Sequence, residues 1–284
     1  MTELHLRSVR DRSPVMHAVA VIAILALLPY AWMIGQLLVG GLQHVTWSFL
    51  TEAPQKSGRA GGILPIIVST LSILAVALVA VVPVGLATAI VLCELSRRHA
   101  ALGRGIGLSL DVLAGVPSIV FGLFIYIVLV LTKVGGTSFA GYKGSLALAL
   151  LMLPVVARSA EVVLLLVPDS LREAALALGA PRWKVTMRIV FPTALPGLIT
   201  GAMLAVARAA GETAPLLFTA AIALGTSFDI NQRMNSLPAQ IFADVSSPND
   251  ALVQRAWGAA LTLVAMVFIL TLIARLAQRR SRLT

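Results

Sequence analysis

Apolar residues in this chain do not alternate with polar ones as they do in half-buried strands; they run on without interruption. Segments 15–40, 64–92, 106–132, 144–166, 189–225 and 256–277 are each apolar over roughly 20 residues or more, as required where every backbone polar group must be paired inside its own helix. Six membrane-spanning helices are predicted, and an even number places both termini on one side. The fifth segment is too long for one crossing. At 1.5 Å per residue its roughly 36 residues reach about 54 Å, against a hydrocarbon core of about 30 Å. Pro192 and Pro196 fall early in it, so its first dozen residues are expected to lie along the interface before the chain turns into the bilayer.

Composition agrees with a membrane class: of 284 residues 58% are hydrophobic and 12% charged, far from a soluble domain. The fold class expected is an all-α membrane protein. Segment 15–40 has the length of a span rather than of a signal peptide's apolar region, which is about 7–15 residues, and is read as a retained helix. Cys93 is the one cysteine and is read as packing. The histidines fall near segment ends without clustering, so no metal site is expected.

A net charge of +10 would suggest nucleic acid in a soluble protein. Here the loops account for it. The termini, the 97–104 loop and the 172–188 stretch hold 14 of the 22 cations, and the opposite loops hold six: Lys56, Arg59, Lys133, Lys143, Arg233 and Arg255. The positive-inside rule then places both termini in the cytoplasm, with basic tails at 1–14 and 278–284. The external loops, 41–63 and 226–255, are polar; they are either surface for an extracytoplasmic partner or simple connectors.

Arg158 and Arg208 are left inside apolar segments. A buried guanidinium in lipid is costly and is retained where it faces a partner, a cavity or water. Counted from the outer ends of their segments, the two are expected at matching depths of about 22 and 26 Å. Each has an acid nearby on its own predicted helix face, Glu161 at i+3 and Glu212 at i+4. Two readings follow: internal ion pairs that lock helices, or a path in which planar guanidinium donors meet an oxyanion while the carboxylates reclaim them to speed release. Beside Arg208 lies "GETAP", with Gly211, Thr213 and Pro215, where a helix break can free carbonyls toward a cavity. "GVPSIVFG", with Gly115 and Pro117, reads as close helix packing. Asp111 reads as interfacial.

The polar interruption "EAALALGAPRWKVTMRIVFP" at 173–192 predicts a short helix at about 169–180. Asp169 or Ser170 is its expected cap, and Gly179 and Pro181 its stop. Composition alone fits an interfacial helix. The spacing of Glu173, Ala174, Ala175, Gly179, Ile189 and Pro192 resembles the EAA loop of ABC importer permeases, with Phe191 where leucine is usual. With "GGILP" at 61–65, "GVPSIVFG" and "ARAAGETAPLLFTA" at 207–220, residues 60–277 resemble the A-type permease of the phosphate-specific (Pst) ABC importer.

That resemblance implies a type I, MetI-like permease core of five helices plus an extra N-terminal helix, in a bacterial inner membrane. It implies that 169–180 is the coupling helix, with Glu173 accepting hydrogen bonds from an ATPase, Ala174 and Ala175 allowing close approach, and Gly179 freeing the exit turn. It also implies that Arg158 and Arg208 matter to transport, and that the partners are a second permease, two copies of a cytoplasmic ATPase, an extracytoplasmic phosphate-binding protein and phosphate. The sequence has no G-x-x-x-x-G-K-[ST] phosphate loop, so ATP and Mg are expected on the partner and no cofactor on this chain. Molybdate or sulfate permeation, or an anion/proton secondary transporter using Glu161 and Glu212, are the competing expectations.

Overall fold

The computed structural model describes residues 12–55, 61–95, 100–222 and 228–281, and every regular element among them is helical. The elements are α1 (Arg12–Leu42), α2 (Trp47–Thr51), α3 (Leu64–Ile90), α4 (Ala100–Gly115), α5 (Ser118–Ile125), α6 (Gly141–Leu165), α7 (Asp169–Ala177), α8 (Arg182–Val185), α9 (Phe191–Ala209), α10 (Ala214–Thr219), α11 (Leu237–Val245) and α12 (Asp250–Ser281). Stretches Met16–Leu42, Leu64–Glu94, Gly141–Leu165, Arg182–Ala209 and Asp250–Leu276 are each long and apolar enough to cross a membrane. The basic tails expected at 1–14 and 278–284 lie outside the described residues, apart from the backbone of the ends of α1 and α12.

The third predicted span, 106–132, is not a straight helix. It is the pair α4 and α5, bent by 99°. Pro117 sits at the break with extended backbone and restricts Val116 from helical geometry. Gly115, expected to pack closely, has open space where a Cβ would sit; it belongs to the break rather than to a helix contact.

The fifth span also departs from expectation. Its beginning does not lie flat, because the helix starts at Arg182 and continues through Pro192 and Pro196 to Ala209. A π-helical turn, Thr186–Val190, precedes Pro192. The wider turn makes room at residue 188, where the proline ring would otherwise meet the carbonyl four residues back. The surplus length is spent at the other end, as a break followed by α10.

α3, α6 and α9 make the centre of the bundle. Ile73, Ala77 and Val81 of α3 pack with Leu148, Met152 and Val156 of α6 and with Ala205 and Ala209 of α9. Within lipid such contacts hold by close fit rather than by expulsion of water. Small residues permit it: Gly197 abuts Val163, and Gly201 abuts Ser159, each so closely that a methyl group would collide. α1 lies outside this core and is exposed along most of its length, meeting α12 where Gly40 and Gly41 face Trp257 and Leu261.

Candidate functional site

The chain's ends of interest are the lower end, where α3 and α6 finish and α7 and α8 begin, and the upper end, which carries residues 229–250. At the lower end α7 runs from Asp169 with Pro168 as its N-cap and no side-chain cap, so neither Asp169 nor Ser170 plays the capping role expected of it. Its stop is as expected. Gly179 has φ +80, and Gly179 N–H donates to the Leu176 carbonyl while Ala180 N–H donates to that of Ala175, the paired bonds of a Schellman ending.

Glu173 and Ala174 are exposed, and so is Leu178 at 90%. Ala175 is buried in an apolar cluster with Ala89, Cys93, Leu164 and Val185. The small side chain therefore lets α7 approach this chain's own spans, a correction to the expectation that Ala175 faces a partner. Arg172 points inward too, donating to Glu94 and to the Leu164 carbonyl. A polar cavity of about 230 Å³ lies here, lined by residues that include Glu94, Arg172, Glu173 and Arg182.

Arg158 is fully engaged. Its Nη1 donates to Glu161 at 2.8 Å, as the i+3 spacing predicts. Its Nη2 and Nε donate to Asp111 of α4 at 2.6 and 3.1 Å, and Nη2 also reaches the Gly107 carbonyl at 2.7 Å. Asp111 is thus a partner of the half-buried guanidinium and not simply an interfacial acid. Packing of α4 against α6 brings it there; sequence spacing offers no hint, because 47 residues separate the two.

Arg208 stands apart. It lies in the last turn of α9, is exposed, and among the described residues has no ion-pair or hydrogen-bond partner. The i+4 pairing expected with Glu212 is absent, because the helix ends at Ala209 and Glu212 sits beyond a turn closed by its N–H on the Ala209 carbonyl. The matching depths fail as well. Contacts of Gly201 with Ser159 and of Gly197 with Val163 fix the antiparallel register, which puts Arg208 level with Met152, six residues or about 9 Å above Arg158.

The "GETAP" break does occur. Gly211 is exposed with no packing neighbour closer than 4.0 Å, Thr213 is the N-cap of α10, and buried Pro215 opens that helix. Gly122 of α5 lies against the backbone of Pro215, so close packing in "GVPSIVFG" comes from its last glycine. At the upper end two loop cations are buried rather than exposed. Lys143 Nζ donates to the carbonyls of Leu129, Thr137 and Ser138. Arg255 makes a two-pronged pair with Asp244, at 2.7 and 2.6 Å, which Gln240 extends. Residues 228–255 are therefore in part a built structure.

The model of binding-protein-dependent transport system inner membrane components matches residues 81–283. The chain belongs to this family. Among relatives of the permease, the phosphate transport system permease protein PstA of Mycobacterium leprae is 42% identical over 249 residues, 86% of this chain and 81% of that one. PstA 1 of Mycobacterium tuberculosis is 40% identical over 92% of this chain and 86% of its own, and PstA of Pasteurella multocida 36% over 86% of each. Its fold resembles that of the MetNI methionine ABC transporter in inward-facing form, with a TM-score of 0.63 at 21% identity over 77% of this chain and 97% of that one. It also resembles a bacterial alginate ABC transporter, with a TM-score of 0.65 at 15% identity over 95% and 96%. The fold is that of an ABC importer permease, and the chain is a multi-pass inner-membrane protein.

Proposed function

We propose that this chain is a non-catalytic permease subunit that carries inorganic phosphate inward, driven by ATP hydrolysed on a separate subunit. The observation that carries the substrate is its 42% identity, over most of both chains, to a phosphate transport permease. The partners of this reading are a second, related permease, a cytoplasmic ATPase dimer that binds ATP and Mg and takes the exposed face of α7, and an extracytoplasmic phosphate-binding protein at the upper end. The cation count supports placing the lower end and both termini in the cytoplasm.

The arginines act as successive stations instead of one clamp. Arg208, higher and unpartnered, is open to an arriving anion, whose oxygens match its planar donors. Arg158, lower, is already held by two carboxylates, so the trio of Arg158, Asp111 and Glu161 sums to one negative charge. An anion that displaces them is pushed off again as they return, which favours release below. Thr213 and Glu212, at the break beside Arg208, shape the upper station.

Uptake of labelled phosphate by cells carrying Arg158→Ala or Arg208→Ala tests this, with molybdate and sulfate as competitors. Loss of uptake in each variant, with neither competitor slowing the parent, supports phosphate as substrate. Parental uptake after both arginines have become alanine would remove them from the path, and strong competition by either anion would point to another oxyanion.

A further inference from the structure

We infer that Arg172 and Glu94 form the joint through which movement of α7 reaches the membrane spans, which makes Arg172 a positioning residue for ATP-driven import. The inference rests on reading α7 as the ATPase-docking helix. Arg172 lies near the start of that helix with its side chain only 12% exposed, turned away from the exposed face. Its guanidinium touches the ends of two spans at once: Nη1 donates to Glu94 at the end of α3, and Nη2 donates at 2.8 Å to the carbonyl of Leu164 in the last turn of α6. Asp169, the other acid close by, is 3.7 Å from Nε. One rigid fork thereby ties the docking helix to two of the three helices that form the bundle's centre.

The covalent route reaches only one of these spans. α7 joins α6 through Leu166, Val167 and Pro168, and it has no covalent route to α3 nearby. Apolar contact through Ala175 sets a distance but no direction. Charge-assisted bonds supply the direction, and they are strong where solvent is largely excluded. Glu94 sits within a π-helical turn, Val91–Leu95, that ends the α3 span. Such turns recur at functional positions because their backbone is less tightly held. Neither residue stands out by sequence, where Arg172 is one loop cation among many.

Lysine cannot replace the fork: one ammonium on a flexible stem does not hold two acceptors in fixed geometry. The test uses the complete importer in vesicles, measuring phosphate imported per ATP hydrolysed for Arg172→Ala, Arg172→Lys, Glu94→Ala and the double alanine variant. The ATPase is expected to stay bound in a pull-down and to keep hydrolysing. Imported phosphate per ATP should fall tenfold or more in each alanine variant, with the double variant no worse than either and the lysine variant between. Independent losses that multiply in the double variant, a parental ratio in Arg172→Ala, or release of the ATPase would each overturn the inference.

A second readout needs no particular substrate. Spin labels at Ser170 and Val84, in a Cys93→Ala background, report the spacing of α7 and α3. The joint predicts one narrow distance that Mg–ATP with vanadate does not change, and a broadened distance in Arg172→Ala. An unchanged distribution in that variant overturns the joint. A parent that imports no phosphate yet shows the expected distances overturns only the substrate.

Discussion

Arg158 and Arg208 bring the same charge into one bundle and meet opposite circumstances. The lower one spends its donors on Asp111, Glu161 and a carbonyl, whereas the upper one is exposed and unpartnered among the described residues. Asp111→Asn removes one of the carboxylates that compete with an anion for Arg158. The expected outcome is slower release, seen as a several-fold drop in maximal phosphate uptake with little change in the concentration giving half of it. A parental maximal rate would remove Asp111 from the release step. The pairing of Arg158 with Glu161 was legible because three residues on a helix fix a neighbour. The Asp111 contact was not, since it depends on how α4 packs against α6, which no local pattern encodes. The expected pair of Arg208 with Glu212 failed for a related reason: the spacing rule holds only while the helix continues, and this one ends between them.

Among the elements, the apolar runs located the spans well, because lipid imposes the same demand on every residue of a crossing helix. The fifth span was misread through its prolines. A proline usually marks a turn, but a π-helical turn beside Pro192 absorbs the ring and lets the helix pass. The GxxxG spacing of Gly197 and Gly201 was available in the sequence as a close-packing signal, and it sets the register that separates the two arginines. Gly201→Leu should therefore pry α6 from α9 at a cost of about 1–3 kcal/mol, lowering the thermal midpoint in detergent. Gly105→Ala, in open space within α4, should not lower that midpoint and should raise it slightly. At the upper end Asp244→Ala removes the two-pronged partner of the buried Arg255 guanidinium. Loss of one partner in such a pair costs about 3–5 kcal/mol, so proteolysis of residues 228–255 should quicken sharply; cleavage at the parental rate would show that the pair is dispensable.

For the whole molecule, the proposed function has a cytosolic motor grip one end and an anion pass staggered arginines, with the inferred joint at Arg172 and Glu94 connecting the two. The chain belongs to a family of inner-membrane transport components, and the proposed function therefore expects transport to fail without the separate ATPase. The most direct measurement reconstitutes the full assembly in vesicles with ATP on the side of α7 and follows labelled phosphate. Uptake is expected to stop when ATP, the ATPase or the Arg208 guanidinium is removed, the last by Arg208→Ala. Phosphate uptake by this chain without the ATPase, or undiminished uptake by the Arg208→Ala importer, would contradict it.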